Sequence, residues 1–186
     1  MPRLRLLWAS GCGAITSNGW PPKQKSSPKN MVLILKKAYC AALLHDLDDS
    51  NYERGHEDFD TWSWEEGKAI LKKAGFRHAE REEILEATST HSCHPGHLPT
   101  TLEGKVLATA DAMWHLQTNF FPVICHMNRP DTTDSYEEWQ AWFLQKIERD
   151  FGPKMFFDDE REEVRDDYNA LIRVFGNKTL DGKSPN

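Results

Sequence analysis

The stretch Ala41-Ala42-Leu43-Leu44-His45-Asp46 decides the fold class of this chain, because four apolar residues run directly into adjacent imidazole and carboxylate groups. An ionised aspartate beside a histidine at the end of a buried run is unfavourable unless a cation or a strong hydrogen-bond partner compensates it. The stretch therefore predicts a helix whose last turn carries a metal-binding pair. A water-exposed pair at a helix C-terminus is the alternative.

A second carboxylate interrupts an apolar run further along the chain. Asp111 stands within Val106-Leu107-Ala108-Thr109-Ala110-Asp111-Ala112-Met113-Trp114, and the same reasoning predicts that it meets a cation. His115 follows it by four residues, on the same face of a helix. There His115 would hydrogen-bond to Asp111 and orient it toward the metal. The alternative is an ordinary helix histidine with its own partners.

The two segments together resemble the HD-domain metal-dependent phosphohydrolases. The matches are A-A-L-L-H-D-L-D-D at 41–49 and L-E-G-K-V-L-A-T-A-D-A-M at 102–113. The resemblance implies an all-α, HD-domain-like bundle of about five to seven helices. It also implies a divalent metal held by His45, Asp46 and Asp111, whose ligand types suit Mn, Co, Ni, Fe, Zn or Mg.

The chain departs from the family pattern at its first histidine, since no His occurs between Met1 and Leu44. Residues 1–30 are dense in helix breakers and predict an atypical, poorly ordered N-terminal segment. We expect an HD-like helical domain over residues 31–176 and a polar tail over 177–186. A truncated or mis-started chain, a divergent member and a degenerate member all remain open, and metal affinity should be low unless another His fills the gap.

Three imidazoles and a thiol crowd into His91-Ser92-Cys93-His94-Pro95-Gly96-His97. The resemblance implies that His91 or His94 reaches the His-Asp site as an extra ligand or a phosphate contact. A surface histidine loop is one alternative, and a zinc-binding adaptor built on this loop is another. The spacing is poor for an independent zinc site.

Two further residues are candidates for chemistry. Asp49 lies three residues after Asp46, a spacing at which several branches of the family carry a carboxylate that transfers protons, so it is a candidate general acid or base. A solvated acidic turn is the alternative. Lys105 is a candidate contact for the substrate phosphate, and a solvated lysine is the alternative.

Apolar periodicity and capping signals predict helices and no strand. Three capping boxes begin at Ser63, Thr100 and Ser135, and Gly75, Gly152 and Gly176 provide stops. The expected helices cover about 31–47, 64–74, 79–90, the segment from 100 through Asp111, 135–151 and 159–175. The residues expected to face inward on the first helix are Val32, Leu35, Tyr39, Ala42 and Leu43, and those on the aromatic helix are Trp139, Trp142, Phe143 and Ile147.

Composition limits the class of partner. The net charge of −6 argues against binding of a nucleic-acid polymer, whereas a small phosphorylated substrate is compatible with it. No apolar run is long enough to cross a membrane. The four cysteines form no C-x-x-C pair, which favours a reducing cytoplasm. The oligomeric state stays open, with a homodimer among the options.

The sequence therefore predicts a metal-dependent phosphohydrolase acting on a small phosphate ester, with a nucleotide as the favoured substrate. The alternative is a non-catalytic or degenerate HD-fold interaction protein with an incomplete metal site.

Overall fold

The computed structural model describes residues 28–47, 59–128 and 135–176. Within these ranges the chain forms eight α-helices and no strand, so the all-α fold class is confirmed. In chain order they are α1 Pro28–Leu44, α2 Phe59–Lys73, α3 His78–Thr90, α4 Leu102–Gln117, α5 Phe120–Asn128, α6 Tyr136–Phe151, α7 Asp158–Glu163 and α8 Arg165–Phe175. The count exceeds the expected five to seven because α5 was not predicted and because the last predicted helix is divided at Val164.

The described helices group into two compact units, and the boundary between them falls inside α4, after Ala108. We call the described residues up to 108 the N-terminal unit and those from 109 onward the C-terminal unit. The domain boundaries predicted at residues 31 and 176 stay predictions.

In the N-terminal unit, α1 packs against α3 through small side chains. Ala38 and Ala41 of α1 are 3% and 0% exposed, and Ile84 and Ala87 of α3 are both 0% exposed. Alanine adds little bulk to a helix surface, so the two helices pack closely at this contact.

Of the residues predicted to face inward on α1, Ala42 is buried at 8% exposed, and the four larger ones are not. Val32, Leu35, Tyr39 and Leu43 are 66%, 42%, 48% and 57% exposed. The periodicity of these larger residues marks a genuine apolar stripe, but the contact with α3 uses the alanine face instead.

A buried lysine joins three helices of the N-terminal unit. Lys37 of α1 is 8% exposed, and its Nζ lies 2.5 Å from Glu83 Oε2 of α3 and 2.5 Å from Glu103 Oε1 of α4. Burial by itself would lower the pKa of Lys37, but its hydrogen bonds to Glu103 and Glu83 outweigh burial and raise the pKa. The ammonium group therefore stays charged inside the unit.

Helix ends differ from the prediction at two capping boxes. Ser63 lies inside α2, which already begins at Phe59, so it is not an N-cap. In α4 the cap is Thr101, whose Oγ1 accepts a hydrogen bond from Gly104 N at 3.2 Å, while Thr100 donates to Glu86. The predicted box also assigned Glu103 to the backbone at Thr100. Glu103 instead pairs with Lys37 of α1.

The C-terminal unit has its own apolar core. Phe121, Phe143, Ile147, Met155 and Val164 are each at most 3% exposed. They come from α5, α6, and the segments before and after α7, so the unpredicted helix α5 supplies part of the core.

Helix α6 confirms one prediction and contradicts another. The capping box at its start is confirmed, with Ser135 accepting from Glu138 N and Glu138 reaching back to the cap backbone. The inward position predicted for Trp142 was wrong, since this side chain is 40% exposed.

We expect Lys37→Met to lower the free energy of unfolding by on the order of 3 kcal/mol, because it leaves the Glu103 carboxylate buried without its cation. Lys36→Met is the matched control. The neighbouring Lys36 lies 4.7 Å from the centre of the Phe76 ring, and its loss should cost less than about 1 kcal/mol. Urea unfolding of both variants makes the comparison, and equal losses would contradict the role assigned to Lys37.

Candidate metal centre

His45 was predicted to lie in the last turn of α1. In the structure it directly follows Leu44, the last residue of this helix. Its Nδ1 lies 2.9 Å from the carbonyl oxygen of Ala42. A carbonyl oxygen only accepts, so Nδ1 carries the hydrogen and donates it. In the neutral ring the lone pair is then on Nε2, which is the form of imidazole that binds a metal.

His91 repeats this arrangement at the end of α3. It directly follows Thr90, and its Nδ1 donates to the carbonyl oxygen of Thr88 at 2.6 Å. Its Nε2 lies 3.4 Å from Ser92 Oγ, whose hydroxyl rotates and does not block a stronger ligand. In the neutral ring, this hydrogen bond places the lone pair of His91 on Nε2 as well.

Asp46 completes a group of three possible ligands. Its Oδ2 lies 3.1 Å from His45 Nε2, and the ring centres of His45 and His91 are 5.1 Å apart. One ligand atom from each of the three residues lies within 4.8 Å of the other two. One atom each of His45, Asp46 and His91 would hold a divalent metal ion at this group.

The group lies near the surface of the N-terminal unit. The side chain of His45 is 17% exposed, whereas that of Asp46 is 53% exposed. The expectation of a buried aspartate was therefore wrong. Water and a ligand reach the open side of the group, as a site that combines metal binding with catalysis requires.

The histidine loop after α3 contributes only His91 to this group. His94 and His97 are exposed and form an isolated backbone bridge, and Cys93 has a φ of 52° in the turn between. Across the described ranges, His45, Asp46 and His91 are the one group of three or more His, Cys, Asp or Glu residues close enough to hold a metal ion. The zinc-adaptor interpretation therefore has no ligand cluster in the part of the chain that the structure describes.

Residues 31–113 match the family model of the HD domain. This segment belongs to the HD-domain superfamily. No curated protein and no solved structure matches the chain. HD domains bind divalent metals and generally act as hydrolases on phosphate esters, and the His-Asp pair of the matched segment is His45 and Asp46.

Asp111, the third ligand predicted from the HD pattern, lies on α4 in the C-terminal unit and is 8% exposed. Its Oδ2 accepts a hydrogen bond from the ammonium group of Lys154, and its Oδ1 lies 3.4 Å from His115 Nε2. The cation that the sequence led us to expect beside Asp111 is thus supplied, in this structure, by a lysine. A role for Asp111 as a metal ligand stays a prediction.

The pair belongs to a buried network of charges in the C-terminal unit. Asp150 is 0% exposed and lies 3.1 Å from His115 Nδ1, 3.1 Å from Lys146 Nζ and 3.6 Å from Lys154 Nζ. Burial would raise the pKa of Asp150, but the hydrogen bond to His115 and the charges of Lys154 and Lys146 outweigh it and lower the pKa. Burial lowers the pKa of Lys146. The network therefore keeps Asp150 ionised at neutral pH.

Two site residues of the HD prediction remain, Asp49 and Lys105. Asp49 lies outside the described residues. Lys105 is half-buried on α4, and its role as a phosphate contact stays a prediction.

No helix in the described ranges is long and apolar enough to cross a membrane.

Sequence reasoning missed Lys37, Lys154 and Asp150, which form the ion pairs described above. Each pairs with a residue far away in the chain, and a solvated lysine or aspartate looks the same in the sequence. A weak signal exists for Asp150 and Lys154, since Asp150 stands four residues after Lys146 and four before Lys154, the spacing of a helical ion pair.

We expect Asp111→Asn to lower the free energy of unfolding of metal-free protein by on the order of 3 kcal/mol, because Lys154 loses a buried counter-charge. The double variant Asp111→Leu with Lys154→Met should recover much of the loss, since an apolar pair needs no compensation. Urea unfolding in the presence of EDTA measures both, with the exposed Asp167→Asn as control. Unchanged stability of Asp111→Asn in EDTA would mean that Asp111 serves only as a ligand.

Proposed function

We propose that this chain is a metal-dependent phosphohydrolase in which His45, Asp46 and His91 hold a divalent metal ion. The observation that carries the proposal is the hydrogen bond that both histidines make in the same way. Each donates Nδ1–H to the end of its own helix, and their ligand atoms lie together with a carboxylate oxygen within 4.8 Å. Three ligands of this kind suit a first-row transition metal and leave positions open.

When bound, the metal lowers the pKa of a coordinated water toward neutrality and polarises a phosphoryl oxygen. The chain's own residues supply the rest. Asp46 contributes the negative charge of the site, and its exposure leaves room for a phosphate ester beside it. Asp49, three residues further on, is proposed as the general acid or base that moves a proton to or from the reacting oxygen.

The substrate class that we favour is a small phosphate ester, with a nucleotide first among the candidates. The net charge of −6 disfavours a nucleic-acid polymer but leaves a small phosphorylated molecule acceptable. Lys105 is the proposed contact for its phosphate. Asp111 remains the proposed additional ligand. To bind the metal, it would have to give up its ion pair with Lys154.

A specific observation favours a second function, that of a non-catalytic HD-fold interaction protein. Asp111 already has Lys154 as its cation, and His115 contacts its other oxygen. A carboxylate compensated in this way needs no metal. In that case the HD fold would persist while the metal site is incomplete.

Metal retention decides between the two functions. Protein purified without chelator, stripped and then titrated with Mn²⁺ in a calorimeter should bind about one equivalent. His45→Ala and His91→Ala should each weaken binding by on the order of 100-fold, because each removes a ligand. His97→Ala is the matched control, since His97 lies in the same loop but outside the group. Binding that survives His91→Ala would remove His91 from the site, and no binding at all would leave the interaction protein.

Hydrolysis tests the chemistry. Phosphate release from nucleoside monophosphates, nucleoside triphosphates and p-nitrophenyl phosphate should rise steeply with added Mn²⁺, Co²⁺ or Ni²⁺. Asp46→Asn should reduce release by on the order of 100-fold at saturating metal, since it removes the anionic ligand. Protein that binds the metal but releases no phosphate from this panel would contradict the enzyme assignment. Release confined to p-nitrophenyl phosphate would contradict the nucleotide preference.

A further inference from the structure

A small cavity lies between α2 and α3, near the turn that joins them. Its volume is about 350 Å³, and its lining includes Lys68 and Lys72 of α2 and His78 and Arg81 of α3. His78 is the first residue of α3 and His91 follows its last. At 1.5 Å per residue, the length of the helix places this cavity about 20 Å from the candidate metal centre.

The basic side chains of the cavity are arranged to act together. Lys68 and Lys72 are four residues apart, so both project from one face of α2. Arg81 Nη1 donates to the carbonyl oxygen of Phe76 at 3.0 Å, which holds the guanidinium in place and leaves its other N–H groups for a ligand. The ammonium group of Lys72 has no hydrogen bond or ion pair with a residue that the structure describes.

Two carboxylates also line the cavity and reduce its charge. Glu65 is already paired with Lys68, with Oε1 3.1 Å from Nζ. Glu82 forms no ion pair within the described ranges, so its charge acts on any ligand. Lys72 and Arg81 together outweigh it, and the cavity keeps a positive charge in a chain whose net charge is −6.

We propose that this cavity binds a small anion with two linked phosphates, such as a diphosphate. Lysines and an arginine fork are the side chains that hold phosphate oxygens, the arginine through paired hydrogen bonds. The volume lies near the lower end of the roughly 300 to 1,000 Å³ typical of ligand pockets. It therefore has room for a diphosphate group. The site is independent of the phosphohydrolase function proposed above.

Calorimetric titration of the full chain with pyrophosphate, in EDTA and at constant ionic strength, tests the site. Wild type should show saturable binding. Lys72→Gln and Arg81→Gln should each weaken it by about tenfold, because each removes a charged hydrogen-bond donor. Glu82→Gln should strengthen it several-fold, since it removes the repelling charge. Lys73→Gln is the matched control, because Lys73 is the exposed neighbour of Lys72 and does not line the cavity.

Three results would overturn the site. The first is the absence of saturable binding to wild type, and the second is an equal loss in Lys72→Gln and Lys73→Gln, which would reflect overall charge. The third is loss of binding in His45→Ala, which would place the anion at the metal centre. Should Arg81→Gln fail to fold, the opposite effects expected for Lys72→Gln and Glu82→Gln still decide the matter.

Discussion

The ammonium group of Lys37 is the constraint on which the candidate metal centre depends. It ties α1 to Glu83 of α3 and to Glu103 of α4, inside a contact otherwise made by alanines. His45 stands eight residues after Lys37, and His91 stands eight residues after Glu83. Because an α-helix has a fixed rise per residue, joining the two helices at this level brings their ends, and both histidines, to the same level.

The ends of the two helices then determine what the histidines do. The last carbonyl groups of an α-helix have no partner within the helix. In α1 and in α3, one carbonyl near the end accepts Nδ1–H from the histidine that follows. The same local feature thus fixes the tautomer and the orientation of both rings, and a metal ligand is formed without any further carboxylate behind it.

In the C-terminal unit, buried carboxylates are compensated by lysines of the chain itself. Asp111 and Asp150 share Lys154, and Asp150 also meets Lys146. A buried carboxylate is stabilised by whichever cation lies closest with good geometry, and an ammonium group meets that need as a metal ion does. The ion pairs of this unit therefore need no metal to compensate Asp111 and Asp150.

The sequence by itself determined most of the helices, the HD-domain character of residues 31–113 and the His45-Asp46 pair, because periodicity, caps and short motifs are encoded within a few neighbouring residues. The resemblance to the HD family also named His91 as a candidate extra ligand. Only the tertiary structure decided that α1 buries its alanines rather than its larger apolar residues, since that choice depends on the surface of α3. It alone paired Asp111 with Lys154, because an ion pair between residues far apart in the chain leaves no local pattern in the sequence.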